Sequence, residues 1–263
     1  MVGSADLLIH RHNNGIIDLT LNRPEKRNAL SSALIAELTV FARSIQPGVD
    51  ARAVVLRSEG NVFCAGGDLN WMMEQIKADR ATRMVEARKL ADMLRALNEM
   101  PLPLIGCVHG DAFGGGLGIA AVCDTVIAVE TARFAFTETR LGLIPATIGP
   151  YVLARMGEGA ARQVFMSAQL FDAATAKELG LVSHIVAAEG LDAAVSAAIK
   201  PYMSVAPSAV SAAKSLARAL GPPITDAVID DTIRRLADAW ETDDAREGIA
   251  AFLDKRKPGW LTT

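Results

Sequence analysis

At 263 residues, with 51% apolar and 22% charged side chains, the chain carries enough apolar material for one sizeable core. A net charge of −3, a pI near 5.8 and 5% aromatics, not interleaved with Lys or Arg, argue against a nucleic-acid partner. No run approaches the roughly 18 uncharged apolar residues of a membrane span, and Asp6, His10 and Arg11 break the first apolar stretch, so neither an anchor nor a signal peptide is expected and the cytoplasm is the expected compartment.

In chain order, residues 7–10 and 15–21 flank Asn13-Asn14-Gly15, a hairpin signal. A first helix follows Ser31 or Ser32, a hydroxyl cap, with Leu34, Leu38, Phe41 and Ile45 along one face. Residues 53–56 read as a short buried strand. Ala87, Leu90, Ala91, Leu94 and Leu97 mark a long amphipathic helix, which Pro101-Leu102-Pro103 ends before a strand over 104–108. A glycine-led helix, a strand over 125–129 and a helix after Pro150 complete an alternation of short apolar strands with helices, the pattern of an α/β core with parallel pairing.

Beyond about Ala206 only helical stripes remain. Ala209, Ala212, Ala213, Leu216, Ala217 and Leu220 form one, and Ile229, Ile233, Leu236 and Trp240 form a second after Gly221-Pro222-Pro223. So few helices cannot bury these stripes among themselves. The expectation is packing on the core and on neighbouring subunits, and a cap folded back on its own chain fits the pattern equally well.

Two glycine-bearing loops carry the chemistry. Gly114-Gly115-Gly116-Leu117-Gly118 opens an apolar helix just after the strand over 104–108, leaving bare N–H groups at a helix N-terminus, a place that stabilises negative charge. Phe63-Cys64-Ala65-Gly66-Gly67-Asp68-Leu69 follows the strand over 53–56 and precedes a helix, so its N–H groups can also point outward. A thioester or ketone carbonyl held between two such loops would have its enolate stabilised, each donor contributing a few kcal/mol. For either loop alone, a plain tight turn is the simpler account.

The residues of these loops, with others, resemble the crotonase superfamily, the enoyl-CoA hydratase and isomerase family, over nearly the whole chain. The matching stretches are Leu21-Asn22-Arg23-Pro24 with Asn28-Ala29-Leu30, Phe63 to Leu69, His109 to Gly116, Cys123-Asp124, Leu141-Gly142-Leu143-Ile144-Pro145, and Asp243-Asp244 through Arg246-Glu247-Gly248 to Phe252 and Lys255-Arg256-Lys257. The resemblance implies a spiral of β-β-α turns over residues 1–200 that binds acyl-CoA, and a C-terminal helical trimerisation region over 201–263. It also implies a trimer or a hexamer built as a dimer of trimers, with the N–H groups of Gly67 and Gly115 as the oxyanion donors. Among relatives, the run from the glycine triplet to Tyr151-Val152 is most similar to bacterial methylglutaconyl-CoA and isohexenylglutaconyl-CoA hydratases, of leucine and acyclic terpene catabolism.

One departure bears on mechanism. Hydratases of this resemblance carry two glutamates that grip one water; here the first position is Gly118 and the second is Glu138. Glu138 would act as base and then as acid, in sequence. By pattern alone Glu138 reads first as an exposed residue paired with Arg140 or Arg133, and Gly118 as a helix-packing glycine, as the mark of a roomier or differently polarised pocket, or as both. A Δ3,Δ2-enoyl-CoA isomerase with a single glutamate, or a weakly catalytic acyl-CoA-binding protein on the same fold, are the other functions that fit.

Recognition would fall on the CoA moiety of the substrate, with no separate cofactor. Lys26 and Arg27 could meet its phosphates or form a solvated charged turn; the resemblance adds Lys255 from an adjacent subunit and places Gly67, Asp68, Leu69 and Asn70 along the acyl-pantetheine passage, with Ala29 and Ala65 also among the substrate-binding residues. Arg140 is a candidate partner for a distal carboxylate on the acyl group. Asp68, Asp111 and Asp124 sit at loop or helix boundaries, where capping is the simplest role. His109 and His184 read as structural, Cys64, Cys107 and Cys123 as reduced thiols matching no zinc spacing, and no metal site is expected.

Overall fold

Gly15, at a φ of +83°, turns β1 (Leu7–Arg11) into the antiparallel β2 (Ile16–Leu21), the hairpin that Asn13-Asn14-Gly15 predicts. The computed structural model of the chain describes residues 5–46 and 51–261. The Ser31 hydroxyl caps α1 (Ser32–Ser44) by accepting from the Leu34 N–H at 3.2 Å, and Leu34, Leu38 and Phe41 enter the core.

From here the strands come in couples. These are β3 (Ala53–Ser58) with β4 (Val62–Cys64), β5 (Leu104–Val108) with β6 (Asp111–Phe113), and β7 (Thr125–Val129) with β8 (Arg133–Ala135). The first of each couple joins a six-stranded sheet of order β1-β2-β3-β5-β7-β10, parallel from β2 onward, with β10 at His184–Val186. The second joins a four-stranded sheet, β4-β6-β8-β9, with β9 at Phe171–Asp172.

Helical segments follow each couple. They are α2 (Leu69–Lys77) and α3 (Arg80–Glu99), then α4 (Gly115–Val122), then a 3-10 turn (Glu138–Leu141) leading into α5 (Gly149–Met156) and α6 (Glu158–Phe165). The repeating unit is thus strand, strand, helix, wound as a spiral. Both glycine loops therefore leave the small sheet, from β4 and β6, not the longer strands that precede them. Three-residue strands are too short to display an alternating pattern, which is why the sequence reading passed over them.

After α7 (Ala173–Glu178) and α8 (Leu191–Ile199), the chain is helical: α9 (Pro207–Leu220), α10 (Asp226–Trp240) and α11 (Asp243–Leu253). The second predicted stripe folds back on its own chain. Ile229 and Ile233 of α10 cluster with Ala87 and Ala91 of α3, and Trp240 clusters with Leu143, Ala245 and Ile249. Helix α9 buries none of its residues, and Leu220 is 80% exposed. No helix among the described residues is long and apolar enough to cross a membrane.

Candidate active site

The site begins with a strained turn. Arg27 and Asn28 both adopt a left-handed φ of +54°, uncommon for residues with a side chain. The buried Asn28 amide holds that turn in place: its Oδ1 accepts from the Arg23 N–H at 2.9 Å, and its Nδ2 donates to the Glu59 and Val62 carbonyls, each at 2.7 Å. Backbone bonds stitch the turn in addition to the loop after β4. Ala65 N–H donates to the Arg27 carbonyl (3.0 Å), Leu30 N–H to Gly66 (2.7 Å) and Asp68 N–H to Leu30 (3.1 Å).

Gly67 is passed over by this ladder, and its N–H has no acceptor among the described residues. In the second loop, Gly114 (φ +48°) donates its own N–H to the Ala135 carbonyl at 3.0 Å and caps α4. Gly115, the first residue of that helix, is left without an internal acceptor for its N–H, as helix starts are. The two loops meet backbone to backbone. A Cβ on Gly66 would stand 2.9 Å from the Phe113 carbonyl oxygen, and one on Gly116 2.5 Å from that of Cys64. Only glycine permits this approach.

Both free N–H groups belong to residues lining one cavity of about 760 Å³. Glu138, first residue of the 3-10 turn, lines it too: its Oε1 lies 3.2 Å from where a Cβ on Gly114 would sit. Its Oε2 is buried with no hydrogen-bond partner. Burial pushes this carboxyl up to about 7. The surface ion pair considered from the pattern is overturned, because Arg133 is engaged by Asp111 at 2.6 Å and Arg140 donates to the Ala168 carbonyl at 2.6 Å.

Of the readings of Gly118, close packing is the one that holds. A Cβ there would collide with Ile148 at the start of α5, 2.9 Å from its Cβ and nearer still to its Cγ2. The space beside Gly118 is filled by Ile148, so the glycine serves close packing of α4 on α5 and does not enlarge the pocket.

Lys26, Arg27, Ala29, Ala65, Asp68, Leu69, Asn70 and Arg140 line the same cavity. Lys26, Arg27 and Arg140 have no carboxylate partner among the described residues. The Asp68 carboxylate is not open to a ligand. It caps α2, accepting from Asn70 N–H at 2.8 Å, and pairs with Arg23 at 3.0 Å. Burial would raise its pKa, but the Asn70 and Arg23 bonds outweigh that and hold it below the usual carboxylate range.

Helix α11 puts Phe252 and Leu253 in the wall of its own chain's cavity, and Lys255, exposed, lies outside that lining.

Asp111 and Asp124 join strands rather than cap helices: Asp111 grips Arg133, and Asp124 accepts from Leu104 N–H at 2.7 Å and from Lys214 at 2.7 Å. His109 bonds the Gly60 carbonyl at 2.8 Å. The Cys64 thiol, beside the first loop, is buried and thereby pushed up to about 12, which leaves it unreactive. Trp71, Ile144, Thr147, Trp240 and Phe252 also line the cavity. Sequence reasoning missed them because they come from four separate segments that only the fold assembles; the tripeptide Pro145-Ala146-Thr147, a polar break in an apolar run, was the one available signal.

Two unpaired N–H groups facing an apolar cavity that holds one raised carboxyl can stabilise charge on a carbonyl oxygen while a proton moves at the adjacent carbon. The family model described as enoyl-CoA hydratase/isomerase matches residues 11–263. The chain belongs to the enoyl-CoA hydratase/isomerase family. Similar family members include an enoyl-CoA isomerase/hydratase, fer4, of Mycosarcoma maydis, 32% identical over 93% of this chain and 92% of its own length. An enoyl-CoA hydratase from Mycobacterium avium superposes with a TM-score of 0.82 at 32% identity, covering 98% of this chain and 100% of that one. An enoyl-CoA hydratase from Shewanella pealeana does so with a TM-score of 0.79 at 35% identity, covering 97% and 96%. The family's crotonase fold is the α/β arrangement described above.

Proposed function

We propose that the protein hydrates the 2,3-double bond of an enoyl-CoA thioester, with the carbonyl oxygen between the N–H groups of Gly67 and Gly115 and Glu138 as the sole acid and base. The observation that carries this reading is the partnerless Glu138 carboxyl in the cavity where both free N–H groups lie. As water adds to C3, the carboxylate takes its proton, the double-bond electrons move to the thioester oxygen, and the same carboxyl then protonates C2.

That Glu138 is the one cavity carboxyl both buried and raised also favours a second reading, in which it carries a proton between C4 and C2 and no water is needed. Supplying crotonyl-CoA and a 3-enoyl-CoA separately decides between them. Loss of enoyl absorbance with the first supports hydration, whereas inertness toward crotonyl-CoA with gain of conjugation from the second supports isomerisation.

Lys26 and Arg27, unpaired at the cavity, fit the CoA phosphates. Arg140, tied on one side to Ala168 and lacking an acid, fits a distal carboxylate as in methylglutaconyl-type thioesters. Arg140→Ala is therefore expected to lose roughly ten-fold in kcat/KM on a glutaconyl-type thioester relative to crotonyl-CoA, the scale of one charge-assisted bond. An unchanged ratio removes the assignment. The uncovered apolar stripe of α9 supports a homotrimer or hexamer, with α9 as the contact.

A further inference from the structure

Hydration requires the attacking water to be held, and an ordered water uses two to four polar partners. Glu138 supplies one. We infer that the hydroxyl of Thr147 supplies the second, an inference that rests on the hydration reading above. Thr147 is one of few buried polar residues, 7% exposed, and it lines the cavity. Its hydroxyl has no hydrogen-bond partner among the described residues, against the strong tendency of buried polar groups to be bonded. Unlike the Ser58 hydroxyl, which is unpartnered and sealed inside the protein, the Thr147 hydroxyl is not sealed, and its residue lines the cavity.

Helix α4 sets the spacing. Glu138 Oε1 lies against Gly114, and Ile148, the neighbour of Thr147, lies against Gly118. Residues four apart share a helix face about 6 Å from one another. Two oxygens that each bond one tetrahedral water at about 2.8 Å stand roughly 4.5 Å apart, a separation within reach of side chains rooted about one helical turn from each other. Thr137, the other open hydroxyl, stands 3.5 Å from the same Gly114 position and so lies on the carboxyl's own side.

In the step itself, one water proton passes to the Glu138 carboxylate as the water oxygen bonds C3. The second O–H donates to Thr147 Oγ1, which keeps its own proton throughout. The proton on Glu138 then goes to C2, so that H and OH are added and both side chains are restored.

The test compares Thr147→Val and Thr147→Ser with wild type in two assays: hydration of crotonyl-CoA, and exchange of the α-protons of butyryl-CoA in D2O, which uses the N–H pair and Glu138 but no attacking water. Thr147→Val should lose about ten-fold in hydration kcat, the scale of one lost hydrogen bond, with KM and exchange each within about two-fold of wild type, and Thr147→Ser should restore hydration. Unchanged hydration in Thr147→Val, or hydration and exchange falling together, overturns the inference. A wild type that exchanges without hydrating removes the hydration reading and this inference with it.

Discussion

Replacing Glu138 with Gln should lower hydration of crotonyl-CoA by roughly 10²- to 10⁴-fold, the range for loss of a positioned acid–base group. Glutamine keeps the size and can still bond a water, but it cannot carry a proton. The pH profile follows from the same carboxyl. The ionised form must start the reaction in either direction, so kcat/KM should rise with pH through about 7 and then level off. A Glu138→Gln enzyme at full rate on straight, branched and carboxylated enoyl-CoAs alike would falsify the site assignment.

The same variant should be more stable than wild type at high pH. The folded-state pKa, about 7, stands above the ordinary 4.5, so the folded protein binds this proton more tightly than the unfolded chain does. Stability is fully present below about 4.5 and is lost as pH rises through 7, where a buried, unpartnered carboxylate must be carried; the loss approaches ~3 kcal/mol. Denaturant titrations at pH 4.5 and pH 8.5 should therefore show Glu138→Gln equal to wild type at the first and ahead of it at the second. Parallel curves would mean that the carboxyl is solvated.

The second large effect lies away from the cavity. A Cβ on Gly248 of α11 would stand 2.6 Å from the Leu141 carbonyl carbon, and one on Gly142 would collide with the Asp244 backbone. These two glycines let α11 rest directly on the 3-10 turn that carries Glu138. Gly248→Val should push helix and turn apart, costing about 1–3 kcal/mol in stability through overpacking. In still-folded protein kcat should fall by up to roughly 10²-fold, because displacing a catalytic group by about 1 Å is that expensive. Thermal melts and kcat measured well below the Tm check both parts, and a variant matching wild type in each would show that α11 does not brace the turn.

What the sequence disclosed was mostly local. The Asn13-Asn14-Gly15 hairpin, the Ser31 cap and the apolar face of α3 depend on residues within a few positions of one another, and each appears where the pattern puts it. Glu138 and the two glycine loops were legible because their motifs are contiguous, and the fold gathers them at one cavity. Asn28 carries no comparable local signal, since its work of joining Arg23 to Glu59 and Val62 spans 34 positions. Gly118 illustrates the limit differently: a missing side chain suggests space, and only the structure reveals that Ile148 occupies it. The return of α10 and α11 onto their own chain was undecidable from stripes that specify an apolar face but not its partner.

The seating of α11 on the turn of Glu138 divides the support of the site between distant parts of the chain. The two amide-bearing loops are anchored by β4 and β6, whereas the acid's turn leans on residues 243–253. Whatever loosens α11 would therefore reach the proton carrier before it reaches the pair of amides.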